Sequence, residues 1–113
     1  MAETVLPGQI VDINISLRNL GTSATSFTVA AWIFPAGGPY NAHNRVGRFR
    51  ALDGSLEAES NTIPAGSIGT VPMWIAPWWD GQETHSEQYF DIQVFANGES
   101  RIFYNQLYHP KTS

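Results

Sequence analysis

The stretch Val11-Asp12-Ile13-Asn14-Ile15-Ser16-Leu17-Arg18 alternates apolar and polar side chains without a break. Successive side chains of an extended strand point to opposite faces. This run is therefore a strand with Val11, Ile13, Ile15 and Leu17 in a core and Asp12, Asn14, Ser16 and Arg18 in water. Asn19-Leu20-Gly21 ends it. The rest of the chain repeats the grammar. Residues 27–34 are rich in β-branched and aromatic side chains and stop at Pro35-Ala36-Gly37-Gly38-Pro39. Residues 45–52 form a weaker strand closed by Asp53-Gly54, and residues 53–66 read as irregular. Residues 67–76 form a strand that contains Pro72; proline cannot donate a ladder hydrogen bond, so an edge position or a bulge is expected there. Residues 77–86 read as a polar loop. Residues 87–96 and 99–107 then flank Asn97-Gly98, a pair suited to a two-residue hairpin turn in which both central residues take positive φ.

These are six strands, or seven if Glu3-Thr4-Val5 pairs as well, and no useful helical period accompanies them. The expectation is an all-β chain forming a single immunoglobulin-like β-sandwich of about seven antiparallel strands over residues 1–113. A length of 113 residues is one domain. Charged residues are 14% and hydrophobic ones 42%, which excludes a disordered chain. No apolar run is long enough for a spanning helix, so no membrane insertion is expected. A net charge of −4 argues against a nucleic-acid partner held by bulk charge. Cysteine is absent, which removes disulfides, thiol nucleophiles and cysteine-bound zinc, as well as the Cys–Trp–Cys core of antibody domains. Met1-Ala2-Glu3-Thr4 carries no basic start and no apolar stretch behind it, so no signal peptide is expected.

Leu6-Pro7-Gly8-Gln9 followed by the alternating strand and Asn19-Leu20-Gly21 resembles the opening of bacterial cell-adhesion-related (CARDB-type) and fibronectin-like modules. Ile63-Pro64-Ala65-Gly66-Ser67 resembles their mid-domain turn, and Phe90-Asp91-Ile92-Gln93-Val94 their penultimate strand. The resemblance implies an immunoglobulin-fold sandwich used as a surface or adhesion module. The chain departs from the pattern over residues 35–63, where the family has a short loop.

Parity assigns the faces. If Phe27, Val29, Ala31 and Ile33 are core, then Thr28, Ala30, Trp32 and Phe34 lie outside. A two-residue turn at Asn97-Gly98 sets Ile92 opposite Phe103 inside, with Asp91 opposite Tyr104 and Gln93 opposite Ile102 outside. The expected core comprises Ile13, Ile15, Val29, Met73, Ile75, Ile92, Val94 and Phe103. The expected outer face carries Trp32, Phe34, Tyr89, Phe95, Ile102 and Tyr104, an aromatic patch of the size that marks an interaction site. Trp74 is expected outside beside Pro72. Trp78-Trp79, in the following loop, reads as a stacking platform, a hot spot for a protein partner, or a lid on the sandwich.

Catalytic patterns are missing. His43, His85 and His109 are scattered, and no metal site is expected. Ala65-Gly66-Ser67-Ile68-Gly69 has Ala where a nucleophile elbow needs Gly. Gly37-Gly38 lacks the Lys and hydroxyl of a phosphate loop. Arg45, Arg48 and Arg50 read as a solvated strand face or an acid-docking contact. The functional expectation is thus not an enzyme and involves no cofactor. It is a structural protein-interaction module that docks through its aromatic outer face to itself or to a larger particle, such as a virion accessory or decoration protein or a cell-surface module. Of six basic residues only Lys111 is Lys, which suits an interface. The alternative is a carbohydrate-binding module that stacks polysaccharide on Trp32, Trp74, Trp78, Trp79 or Tyr40.

Overall fold

Strand segments follow the alternation closely in the computed structural model, which describes residues 3–6, 9–76 and 87–110. They are β1 (Glu3–Thr4), β2 (Val11–Arg18), β3 (Thr28–Pro35), β4 (Gly47–Arg48), β5 (Arg50–Ala51), β6 (Ala58–Glu59), β7 (Ile68–Ile75), β8 (Gln88–Ala96) and β9 (Glu99–His109). The described residues contain no helix. The larger sheet runs β1-β9-β8-β3-β4, with β6 also on β3, and the smaller runs β2-β7-β5. All pairings are antiparallel except β1 with β9. The chain is therefore all-β, with two sheets sharing one apolar core.

Both sheets feed that core. Val11, Ile15, Val71, Met73 and Ile75 enter from the smaller sheet; Val29, Ala31, Ile33, Phe90, Ile92, Val94 and Leu107 enter from the larger. Two expected core members are corrected. Ile13 is only half-buried and Phe103 is 39% exposed. Both lie on the side of the molecule between β2 and β9, where the sheets stay open. The opposite side is laced shut. The expected strand 45–52 is in fact two segments: Gly47–Arg48 pairs with β3 in the larger sheet, and Arg50–Ala51 pairs with β7 in the smaller. Phe49, between them, is completely buried. Residues 58–59, read from sequence as irregular, add a short strand to β3.

Pro72 sits opposite Asn14 in an unbroken β2–β7 register, so no bulge accommodates it. Its tolerance follows from hydrogen-bond direction. Asn19 donates its backbone N–H to the Ser67 carbonyl at 2.9 Å. Direction alternates along a strand, so odd residues of β7 face β2 and even ones face β5. Strand β5 ends at Ala51, opposite Met73. The missing N–H of Pro72 thus points to where the neighbouring strand has stopped, which makes it a local edge.

The hairpin forms as expected, with Ala96 opposite Glu99 and Ile92 opposite Phe103. Asn97 and Gly98 have φ of 47° and 87°. Nothing lies within 4 Å of a Cβ placed on Gly98, so a larger residue there meets only backbone strain. Gly98→Val is expected to destabilise the fold by about 1–3 kcal/mol, because a β-branched side chain resists positive φ. Urea denaturation measures it, and an unchanged midpoint would show the turn relaxing to another type.

Candidate functional site

The outer face of the larger sheet is built from three adjacent strands. Register sets Ala30 of β3 beside Phe95 of β8, Trp32 beside Gln93 and then Ile102 of β9, and Tyr89 beside Tyr108. The side chains expected there do project outward, but the chain covers part of the face itself. Phe34 is 3% exposed, because Tyr40 stands edge-on to it with ring centroids 5.5 Å apart. Trp32 is half-buried, and the guanidinium carbons of Arg45 and Arg48 lie 3.7 and 4.2 Å from its ring. The indole quadrupole attracts a cation over its face, and planar guanidinium stacks well there. The expected open exposure of Phe34 and Trp32 is therefore corrected: the connection from β3 to β4 folds back over both.

Asp91 pins this cover. It was expected in water opposite Tyr104, yet it is 1% exposed. One carboxylate oxygen accepts hydrogen bonds from the Tyr40 hydroxyl at 2.6 Å and the Gly37 N–H at 3.0 Å. The other accepts the Asn105 N–H at 2.7 Å. Phe90 pairs with Leu107 and Ile92 with Phe103, so residues 104–106 of β9 bulge opposite Asp91 alone. Asn105 takes φ of 52° there, a conformation Asn tolerates better than most residues. The hydrogen bond to Asp91 pushes the Tyr40 phenol pKa up to about 12; partial burial and the Asp91 charge act in the same direction.

An exposed remainder survives. Tyr104 is 64% and Tyr89 43% exposed, while Phe95, Ile102 and Tyr108 are half-buried. The Tyr89 and Tyr108 rings tilt against each other at 4.8 Å, and the Tyr108 hydroxyl donates to Glu87 at 2.8 Å, which raises its pKa. Between Trp32 and Phe95 the face dips into a depression of about 380 Å³, with Arg48 and Glu57 on its wall. Arg48 Nε is buried and has no hydrogen-bond partner among the described residues.

The other candidates lie apart. Trp74 is on the outer side of the smaller sheet, half-buried, with its indole N–H donated to the Ala51 carbonyl at 2.7 Å. Trp78 and Trp79 lie outside the described residues. The basic stripe divides between the sheets: Arg45 and Arg48 serve Trp32, while Arg50 pairs beside Trp74 and donates to the Gly54 carbonyl. Sequence reasoning placed Asp91 only as an outward residue opposite Tyr104, and gave Glu57 no part in this face. It named Tyr40 only as a sugar platform, whereas its ring packs on Phe34 and its hydroxyl is held by Asp91. Chemically, the larger face offers rings, phenol hydroxyls and guanidinium groups on three adjacent strands. Compared with known proteins, this chain matches no family model, no curated protein and no solved structure.

Proposed function

We propose that this chain is a non-catalytic interaction module, an immunoglobulin-like sandwich that docks through the outer face of its larger sheet into a homo-oligomer or a larger particle, such as a virion or cell-surface assembly. The strand order supports the fold assignment: β3, β8 and β9 lie together, and β2, β7 and β5 lie opposite, as in the two sheets of immunoglobulin-type domains. The turn at residues 64–67 supports the CARDB-type or fibronectin-like kinship. Ser67 N–H bonds the Pro64 carbonyl, and Gly66 supplies the positive φ required at the third position.

The observation that carries the functional reading is the exposure of Tyr89 and Tyr104 on the face that also holds Phe95 and Ile102. Each large aromatic buries about 150–250 Å² when covered, so this set anchors a modest interface rather than an obligate one. Tyr104→Ser combined with Phe95→Ser is expected to leave circular dichroism unchanged and to lose the higher-order assembly or particle binding made through this face in analytical ultracentrifugation. A folded double variant that assembles like the wild type places the interface elsewhere. A monomeric wild type that binds a polysaccharide through tryptophan would replace this reading with the carbohydrate-binding one.

A further inference from the structure

We propose that a second copy of this chain pairs with the free edge of β2, antiparallel and with Ile15 on the two-fold axis, to join the two smaller sheets into one. This interface is separate from the outer face of the larger sheet.

Strand β2 has β7 on one side and, among the described residues, no strand on the other. The first strand does not fill that place, because β1 pairs with β9. Exposed edges normally carry protection against pairing: a bulge, a proline, an inward charge or very short length. The other edges have it. Strand β9 bulges at residues 104–106, carries Arg101 opposite the core residue Val94, and is partly covered by β1. Strands β4 and β5 are two residues each. Strand β2 has eight residues in continuous register, without proline or bulge.

Hydrogen-bond direction then restricts the pairing. The Asn19-to-Ser67 bond fixes odd residues of β2 towards β7, so Asp12, Asn14, Ser16 and Arg18 turn their N–H and C=O groups to the open edge. A two-fold pairing must therefore oppose even residues to even residues. With Ile15 on the axis, all four do so: Asp12 faces the partner's Arg18, Asn14 faces the partner's Ser16, and the reverse contacts repeat by symmetry. On the other face, Ile15 meets its own copy and Ile13 meets the partner's Leu17. Ile13 and Leu17 are the two inward side chains of β2 that remain half-buried in one chain. Shifting the axis to Asn14 or Ser16 keeps the parity but separates Asp12 from Arg18. Only the Ile15 axis is complementary in hydrogen bonding, charge and apolar surface together.

The open side of the core lies along this edge. A groove of about 370 Å³ runs beside β2, with Ile13, Ile15, Ile92, Val94 and Phe103 in its lining. A copy seated on β2 brings the same groove from its own side, so the two open cores face each other and Phe103 loses its solvent exposure. The charged pairs themselves add little, being at the surface. Their role is selection, because like charges opposed across an interface are strongly unfavourable.

Analytical ultracentrifugation of the whole chain is expected to show a dimer. Asp12→Arg opposes two arginines at each end and is expected to reduce the mass to that of a monomer. Adding Arg18→Asp restores opposite charges and is expected to restore the dimer. The chain has no cysteine, so a mixture of Asn14→Cys and Ser16→Cys chains is expected to form a disulfide heterodimer faster than either alone forms a homodimer. This crosslink decides the question if Asp12→Arg fails to fold. A monomeric wild type, an undisturbed Asp12→Arg dimer or absence of the preferential crosslink overturns the proposal. Tyr104→Ser with Phe95→Ser leaves the β2 edge intact, so a dimer that survives those substitutions and dissociates on charge reversal separates this interface from the outer-face reading.

Discussion

Phe49→Ala is expected to lower the free energy of unfolding by about 3–5 kcal/mol, read as a reduced urea midpoint with an unchanged slope. Phe49 is fully buried at the point where the chain passes from one sheet to the other. Gly47–Arg48 is paired to β3, Arg50–Ala51 is paired to β7, and the Phe49 N–H is bonded to the Ala31 carbonyl at 2.9 Å. Backbone on both sides is thus held to a different sheet. The cavity left by the ring cannot close without breaking one of those pairings, and partial collapse is what normally reduces the cost of a large-to-small change. Phe103, on the unlaced side and 39% exposed, provides the contrast: Phe103→Ala removes much less buried area and should cost clearly less in the monomer. A loss below about 2 kcal/mol at Phe49 would mean that the crossing segment moves inward freely, and that the sheets are not pinned there.

The same crossing explains what could be read in advance. Strand β2, the Asn97-Gly98 turn and the Ile92–Phe103 pairing were legible, because alternation over many residues and a turn with strict φ demands leave little freedom. Residues 45–52 were not. A two-residue strand has no period, and alternation runs through Phe49 unchanged while the pairing partner switches from β3 to β7. Residues 58–59 escaped for the same reason. Phe103 and Ile13 had inward parity but ended at the open side, and parity gives direction without giving what lies beyond the side chain.

Directions on the outer face were legible to the same degree, and coverage was not. Trp32, Phe34 and Phe95 point outward as the alternation demands, yet the cover on Trp32 and Phe34 comes from residues 40–48. That segment follows Pro35-Ala36-Gly37-Gly38-Pro39, where local rules specify a break and nothing about where the chain returns. The spacing of Arg45 and Arg48 signalled a basic stripe; only the fold shows that an indole lies beneath both. The bulge opposite Asp91 needs two extra residues in β9 and a positive φ at Asn105, and an Asn-Gln pair between Tyr104 and Leu107 demands neither.

Asp91 is where that hidden architecture can be tested most directly. Asp91→Ala is expected to cost about 2–4 kcal/mol, because hydrogen bonds to a charged acceptor contribute more than neutral ones and their loss leaves donors without a partner. The Gly37 and Asn105 N–H groups lose their acceptor, and the Tyr40 hydroxyl is released. Asp91→Asn is expected to cost less, since the amide keeps one acceptor oxygen and Tyr40 can accept from its NH₂. The pH dependence carries a sign. The Tyr40 pKa is raised to about 12 in the folded chain, against an ordinary value near 10 when unfolded. The folded state therefore holds that proton more tightly. The Tyr40–Asp91 contribution is fully present below pH about 10 and fades as the pH rises towards about 12. Wild type and Asp91→Asn should accordingly differ in stability by a constant amount through the neutral range and converge over that alkaline window. With the carboxylate gone, the connection carrying Tyr40 loses its anchor, and Phe34 is expected to become solvent-accessible before the core unfolds. Hydrogen exchange at Gly37 and Asn105 reads this out: both amides should exchange faster in Asp91→Ala while those of β2 and β7 stay protected. Unchanged exchange at Gly37 and Asn105 would show that the cover over the aromatic face is held by ring packing and the arginines, without the buried carboxylate.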